Sequence, residues 1–217
     1  CRGPHPRLPS GIDSETREMI ATAQKTTDFA AARRHMIESQ LRTSGVNDSW
    51  VLERMAAVPR EDFVPEAARA GAYVDRTVPL GDGAFLAPPL AQGLILTHAR
   101  PDAADRALLV GPATGYLAAL LAPLVGDLEQ ATPESVLSGN VEGTFDLVIV
   151  DGAVEQVPAA LAATLSPEGR LVTGVIRNGV TRLELGRRSG DGVSLISVTE
   201  AQLPRLAAFD APPSWTF

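Results

Sequence analysis

The chain has 217 residues, 45% of them apolar, with 26 acidic against 19 basic side chains and a formal net charge of −7. That length suits one good-sized α/β domain with a helical annex, and an acidic balance without a basic stripe argues against a nucleic-acid partner. No apolar stretch approaches a membrane span, and the single cysteine, Cys1, allows neither an intrachain disulfide nor a cysteine zinc site. His5, His35 and His98 are too scattered for metal-ligand spacing. A lone cysteine fits a reducing compartment, so the cytoplasm is the expected location; Cys1 as first residue also matches a processed lipoprotein's start, but no signal segment accompanies it.

Residues 1–27 open with CRGPHPRLPSG, rich in Pro and Gly and without apolar period; they are expected to form a poorly ordered extension. Residues 28–100 read as N-terminal helices plus a loop region. Asp28 caps a helix carrying Phe29, Ala32, Met36, Ile37 and Leu41 on one face, which Gly45 ends. A second helix opens at Asn47 or Asp48, turns Trp50, Val51, Met55 and Val58 inward and stops at Pro59. A short third helix follows Pro65. Residues 75–90 are too rich in Gly and Pro for a helix and predict a loop or short hairpin, after which a helix runs from about Pro89 to His98. In this pass Arg33 and Arg34 are expected on a solvated helix face, and Asp75 is expected to pair near Arg76 or with a loop N–H.

Residues 101–217 carry the α/β core. Strands are expected at Ala107–Val110, at Phe145–Val150, whose unbroken apolar run suits burial on both faces, and at RLVTGVI. Weaker strand candidates, Arg182–Arg187 and Val193–Thr199, flank a Gly-Asp-Gly hairpin turn. Helices are expected at about Gly115–Leu124 and Gln156–Leu165, and the tail APPSWTF reads as an edge strand or extended segment. The most informative unit is ALLVGPATGYLAALLAPLV (107–125), a buried strand, a Gly-containing turn and a helix. Such a corner aims backbone N–H groups and a helix dipole at one spot. Gly111 and Gly115 lack a β-carbon, so a ligand can lie against the main chain there; Pro112 removes one N–H, and Ala113 stands where a middle glycine is expected. A plain βα turn without a ligand fits the same residues. Asp151, at the carboxyl end of a strand, is the best single acid for a site in such a sheet, and a helix N-cap is its other reading.

Six blocks in order, MIESQLRTSGV, VLERMAAVPREDFVPE, AYVDRTVPLGDG, the turn at 107–116, FDLVIVDGA and VPAALAATLSPEGRLV, resemble the protein-L-isoaspartate O-methyltransferases, which use S-adenosylmethionine. The resemblance implies a doubly wound, Rossmann-like class I methyltransferase fold. It implies methyl transfer to isoaspartyl carboxylates of a protein or peptide substrate, a repair reaction catalysed mostly by alignment and exclusion of water. It places cofactor contacts at Gly111, at the backbone around Thr114 and at Gly115, with Asp151 as the remaining acid, and substrate contacts at Phe85, Leu86 and Ala87; no side chain is assigned a catalytic or metal-ligating role.

The chain departs from that pattern at several points. Leu109 replaces an acid before the first glycine. Gln130 occupies the place of the acid that takes the ribose hydroxyls, with Glu129 beside it pointing to the other face unless a bulge intervenes. The 19 residues Gly126–Thr144 are too few for a strand, a helix, a further strand and the adenine-contacting acid, so the fold is expected to be shortened between the second and fourth strands. In the substrate loop, Ala84, Phe85 and Ala87 replace Gln, Thr and Ser. Two readings follow: a divergent S-adenosylmethionine-dependent methyltransferase, or a pseudoenzyme that keeps the fold as a binding or interaction module, with a homodimer as one expected form.

Overall fold

The computed structural model describes residues 29–111 and 115–211; Asp28, Thr114 and the tail from residue 212 lie outside them. Helix α1 spans 29–36 and widens into a π turn, Ile37–Leu41, and a 3₁₀ turn, Arg42–Ser44, ended by Gly45 at φ 98°. Ile37 and Leu41 stay buried through the change of pitch, so the apolar face read from the sequence is kept. Helix α2, Ser49–Ala57, buries Val51, Leu52 and Met55. The segment after Pro65 tightens into a 3₁₀ turn, Glu66–Gly71. Residues 75–90 contain a hairpin, β1 (Val78–Gly81) and β2 (Ala84–Leu86), whose turn residues Asp82 and Gly83 both have positive φ, the conformation that favours Asp-Gly in two-residue loops. Helix α3, Pro89–Ala99, is apolar nearly all round and almost wholly buried, as a helix covered on every side must be.

Strands β3 (Arg106–Val110), β4 (Asp127–Ala131), β5 (Phe145–Val154), β6 (Leu165–Arg177), β7 (Val180–Ser189) and β8 (Gly192–Glu200) form one sheet in the order β4-β3-β5-β6-β7-β8. The first four run parallel; β7 and β8 return antiparallel as a hairpin ladder. Both weak strand candidates at the C-terminal end are thus strands. One face of the sheet packs Ala107, Leu109, Leu147, Ile149 and Val172 against the N-terminal helices, α3 and α4 (Gly115–Leu121). The other face packs Leu108, Val110, Val148 and Val150 under α5 (Pro133–Leu137), α6 (Ala159–Ala163) and a C-terminal segment carrying Leu206 and Phe209. Helices on both faces of a parallel sheet are the doubly wound arrangement.

Two segments depart from expectation. The helix expected over Gln156–Leu165 is only α6, because Leu165 already pairs with Phe145 in the sheet and the Gln156 N–H donates to the carbonyl of Phe209. Strand β5 continues past Val150 to Val154, where the Ala153 N–H donates to the Pro204 carbonyl (2.7 Å) and the Leu206 N–H donates back to the Ala153 carbonyl (2.8 Å). The returning segment from Leu203 to Phe209 therefore lies across the end of β5, with Leu206 filling the space above Gly152. The stretch Gly126–Thr144 holds β4, the one-turn helix α5 capped by Thr132, and a turn. Among the described residues no strand lies beyond β4, which is the edge of the sheet.

Candidate functional site at the carboxyl end of the sheet

Gly111 ends β3, and its N–H donates to the carbonyl of Ala131 at 3.1 Å, continuing the β3–β4 ladder. A β-carbon on Gly111 would lie 3.2 Å from the Asp151 Cβ, and one on Gly115 would lie 3.1 Å from the Phe63 ring. A side chain at either position would press closely on the protein's own side chains, Asp151 at Gly111 and the Phe63 ring at Gly115. Asp151 is 2% exposed and lies inside β5, which runs on past it; it is not the N-cap of a helix. Its carboxylate acts across the corner on Arg60.

Arg60 is the centre of the buried polar chemistry. It is fully buried in a 3₁₀ turn, Arg60–Phe63, that follows Pro59. Its guanidinium donates to the carbonyl of Ala72 (2.7 Å), the carbonyl of Ala87 and Oε1 of Gln92, and it lies 4.9 Å from the ring centre of Tyr116. Burial pulls Arg60 below its ordinary pKa, opposed by Tyr116 and Asp151. Burial likewise pushes the Tyr116 phenol up to about 12, against the pull of Arg60. Among the described residues neither the Tyr116 hydroxyl nor Nε2 of Gln92 has a hydrogen-bond partner. One turn away, Arg33 donates to Tyr73 Oη (2.7 Å), Glu61 (3.0 Å) and the Ala56 carbonyl (3.0 Å), and Tyr73 donates to Glu61. Burial and the Glu61 hydrogen bond push the Tyr73 phenol far up. Arg33 is therefore not on a solvated face: the ion pair with Glu61 draws it in, while Arg34 stays exposed.

The loop at 84–87 is anchored from within. Leu86 and Ala87 are fully buried, whereas Phe85 is 39% exposed at the rim. Asp75 accepts from the Leu90 N–H at the start of α3 (3.0 Å), a main-chain partner of the kind expected for it. Beside this loop, α3, the β6–β7 turn and the residues after β8 enclose a cleft of about 600 Å³ that reaches Asp75, Thr77 and Glu200. At the sheet's other side, β3 and β4 pair in unbroken register from Arg106↔Asp127 to Val110↔Ala131. No bulge rotates Glu129, which is held with Asp127 by Arg106 at 3.1 and 3.3 Å. Gln130 is the residue that β4 turns toward the α4 face. Among the described residues no cluster of His, Cys, Asp or Glu is placed to hold a metal, and no helix is long and apolar enough to cross a membrane.

Arg60, Gln92 and Tyr116 were not singled out by sequence reasoning. One signal was present: Gln92 is the only amide in an otherwise apolar run, PLAQGLIL, and a lone polar residue inside a buried helix needs a partner.

Comparison with known proteins places this architecture. The model of the protein-L-isoaspartate(D-aspartate) O-methyltransferase family matches residues 31–132. A protein-L-isoaspartate O-methyltransferase of Methylorubrum extorquens is 33% identical over 201 residues, covering 78% of this chain and 85% of the relative. One from Koribacter versatilis is 34% identical over 178 residues, covering 70% and 80%. Among solved structures, a Plasmodium falciparum protein described as a putative protein-L-isoaspartate O-methyltransferase in complex with S-adenosyl-L-homocysteine superposes with a TM-score of 0.64 at 17% identity, over 81% of this chain and 98% of that one. The fold is that of the class I S-adenosylmethionine-dependent methyltransferases, an α/β sheet with helices on both faces.

Proposed function

From a chain that belongs to the protein-L-isoaspartate O-methyltransferase family, we propose a divergent member that keeps the family's fold while its grip on S-adenosylmethionine and on isoaspartyl carboxylates is too weak for repair turnover. The observation that carries this reading is the unbroken β3–β4 register. It presents the neutral amide of Gln130 where the family pattern implies a ribose-binding carboxylate, and leaves Glu129 engaged by Arg106. Replacing a charge-assisted pair with a neutral one costs about 1–2 kcal/mol. With β4 at the sheet edge, the strand and acid that would follow it toward the adenine ring have no counterpart among the described residues. The described residues do not fit the cofactor in the family's manner.

On the substrate side, Ala87 replaces a hydroxyl and is buried, with its carbonyl taken by Arg60. Each hydrogen bond to a charged group that is lost is worth roughly 1.5–3 kcal/mol. Losses at Ala84, Phe85 and Ala87 together lower turnover by about 10³-fold or more. What remains is a buried polar corner that fixes the loop and a sheet that can serve as an interaction module.

A second reading, retained methyl transfer, is favoured by the Gly111–Asp151 corner and by the extent of the match to the relatives. Titration calorimetry separates the two. The expected result is no binding of S-adenosylmethionine or S-adenosylhomocysteine tighter than about 1 mM, roughly −4 kcal/mol, and no methyl ester on an isoaspartyl peptide. Low-micromolar binding with ester formation would establish the second reading.

A further inference from the structure

Strands β6 and β7 are joined by a two-residue turn. Arg177 pairs with Val180, and between them Asn178 and Gly179 both have positive φ, 52° and 77°. That is the type I′ pattern, for which Asn-Gly is a favoured pair. Asn178 is exposed, and the outer side of Gly179 is open, with nothing within 4 Å of where a β-carbon would stand. Among the described residues no hydrogen bond holds the Asn178 side chain or the Gly179 N–H. The chain's other asparagines, Asn47 and Asn140, precede Asp48 and Val141, whose side chains crowd the following main-chain nitrogen. The Asn140 side-chain amide is also tied down, donating to Ser138 Oγ at 3.0 Å.

Turning over the central peptide unit converts a type I′ turn to type II′, whose first residue has φ of about +60° and ψ of about −120°. At that ψ the nitrogen of Gly179 eclipses the Asn178 Cβ, which is the geometry in which it can close a five-membered ring on Cγ. Gly179 follows the turnover because, without a β-carbon, it adopts φ of either sign. Strands β6 and β7 stay paired, since both turn types close a two-residue hairpin. From this geometry we infer that Asn178 is a site of spontaneous covalent modification, closing to a succinimide through the turned-over peptide and opening mainly to an isoaspartyl residue. The Gly179 nitrogen gives up its proton and bonds to Cγ, and the Cγ–Nδ2 bond breaks, the side-chain nitrogen leaving as ammonia. Water then opens the ring. Addition at the α-carbonyl breaks that carbon's bond to the Gly179 nitrogen and leaves the main chain running through Cγ, an isoaspartyl link. Addition at Cγ leaves ordinary aspartate. The Asp82-Gly83 turn has the same pair of φ signs, but a carboxylate is the weaker electrophile and has no amine to expel, so it reacts more slowly. The new carboxylate at position 178 stands at the cleft of about 350 Å³ that Arg177 and Arg182 also line. The reaction uses neither the Gly111 corner nor the loop at 84–87, so it holds whether or not this chain methylates isoaspartyl groups.

Peptide mapping by mass spectrometry on the folded full chain, aged over days at mildly alkaline pH, tests it. The peptide holding Asn178 is expected to gain the mass of an amide exchanged for an acid, at least about tenfold faster than those holding Asn47 or Asn140. The rate is expected to rise with pH, because the attacking nitrogen must shed its proton. Two products of equal mass are expected, the more abundant one accepting a methyl ester from an active protein-L-isoaspartate O-methyltransferase supplied with S-adenosylmethionine. Asn178→Gln, whose ring would need six members, is expected to keep its amide. An Asn178 that keeps its amide in the folded chain, whether or not urea releases it, overturns the inference. So does a lone aspartyl product, which would mean direct hydrolysis without a ring, and so does loss of the amide at the parent's rate in Asn178→Gln.

Discussion

A guanidinium without solvent is costly unless it is well hydrogen-bonded, and each of the three Arg60 nitrogens donates to an acceptor on a different segment: the turn at Ala72, the loop at Ala87 and helix α3 at Gln92. Arg60→Met keeps most of the volume and removes all the donors. Acceptors buried without partners cost about 1–3 kcal/mol each, so the variant is expected to lose about 3–5 kcal/mol in urea unfolding. Arg60→Lys should recover only part of this, because an ammonium cannot span three acceptors fixed to a planar fork. A loss below about 1 kcal/mol in Arg60→Met would mean that the three acceptors find other donors. Sequence reading treats such residues poorly. Arg33 looks like a solvated helix residue because three-residue spacing shows which face it shares but not that Glu61 and Tyr73 wait on that face. Gly111, Gly115 and Asp151 were legible as a corner, but not the close approach of Asp151 to Gly111 and of Phe63 to Gly115.

Elements were more legible than their contacts. Strands with an unbroken apolar run, β3 and β5, and the helices α2 and α3 follow from period and composition, and the Asp82-Gly83 turn follows from its residue types. The shortening of the Gln156–Leu165 helix at both ends was not legible, because sheet pairing at Leu165 and a backbone bond from Gln156 to Phe209 override helical propensity. At this scale the β1–β2 hairpin and the loop after it decide whether substrate hydroxyls can be restored. Phe85 is at the rim, so Phe85→Thr is expected to be tolerated. Ala87 is fully buried, and the hydroxyl of Ala87→Ser would be desolvated there, at a cost of about 1–3 kcal/mol without a partner. The double variant is therefore expected to fold with a lowered melting temperature and to form no methyl ester on an isoaspartyl peptide, because Gln130 and the shortened edge are untouched. Ester formation after those two changes alone would place the whole deficit in the loop.

At the scale of the whole molecule, the doubly wound arrangement was readable from the βα corner and the family resemblance, and its shortening from the length of the Gly126–Thr144 stretch, whereas the return of residues 203–209 over the end of β5 was not: it depends on main-chain bonds between residues far apart in sequence. The N-terminal ends of the strands are tied by a similar long-range knot. Arg170 of β6 grips Asp105 at 2.5 and 3.0 Å and also donates to the carbonyls of Ala99 and Arg100, joining the end of α3 to the start of β3. Burial alone would raise the Asp105 pKa, but the Arg170 bonds and the Asp102 N–H outweigh it and hold the carboxyl below its ordinary value. A carboxyl lowered in the folded state releases its proton more readily there than in the unfolded chain. Its stabilisation is therefore complete above the unfolded value of about 4 and is lost as pH falls through the folded value. Asp105→Asn keeps the shape and removes the charge, so near neutral pH it is expected to cost about 2–3 kcal/mol. In urea unfolding from pH 7 down to about pH 2, parent and variant should converge as Asp105 is protonated. A gap that stays constant across that range would mean the variant's defect is one of packing and that the Arg170 charge pair contributes nothing to stability.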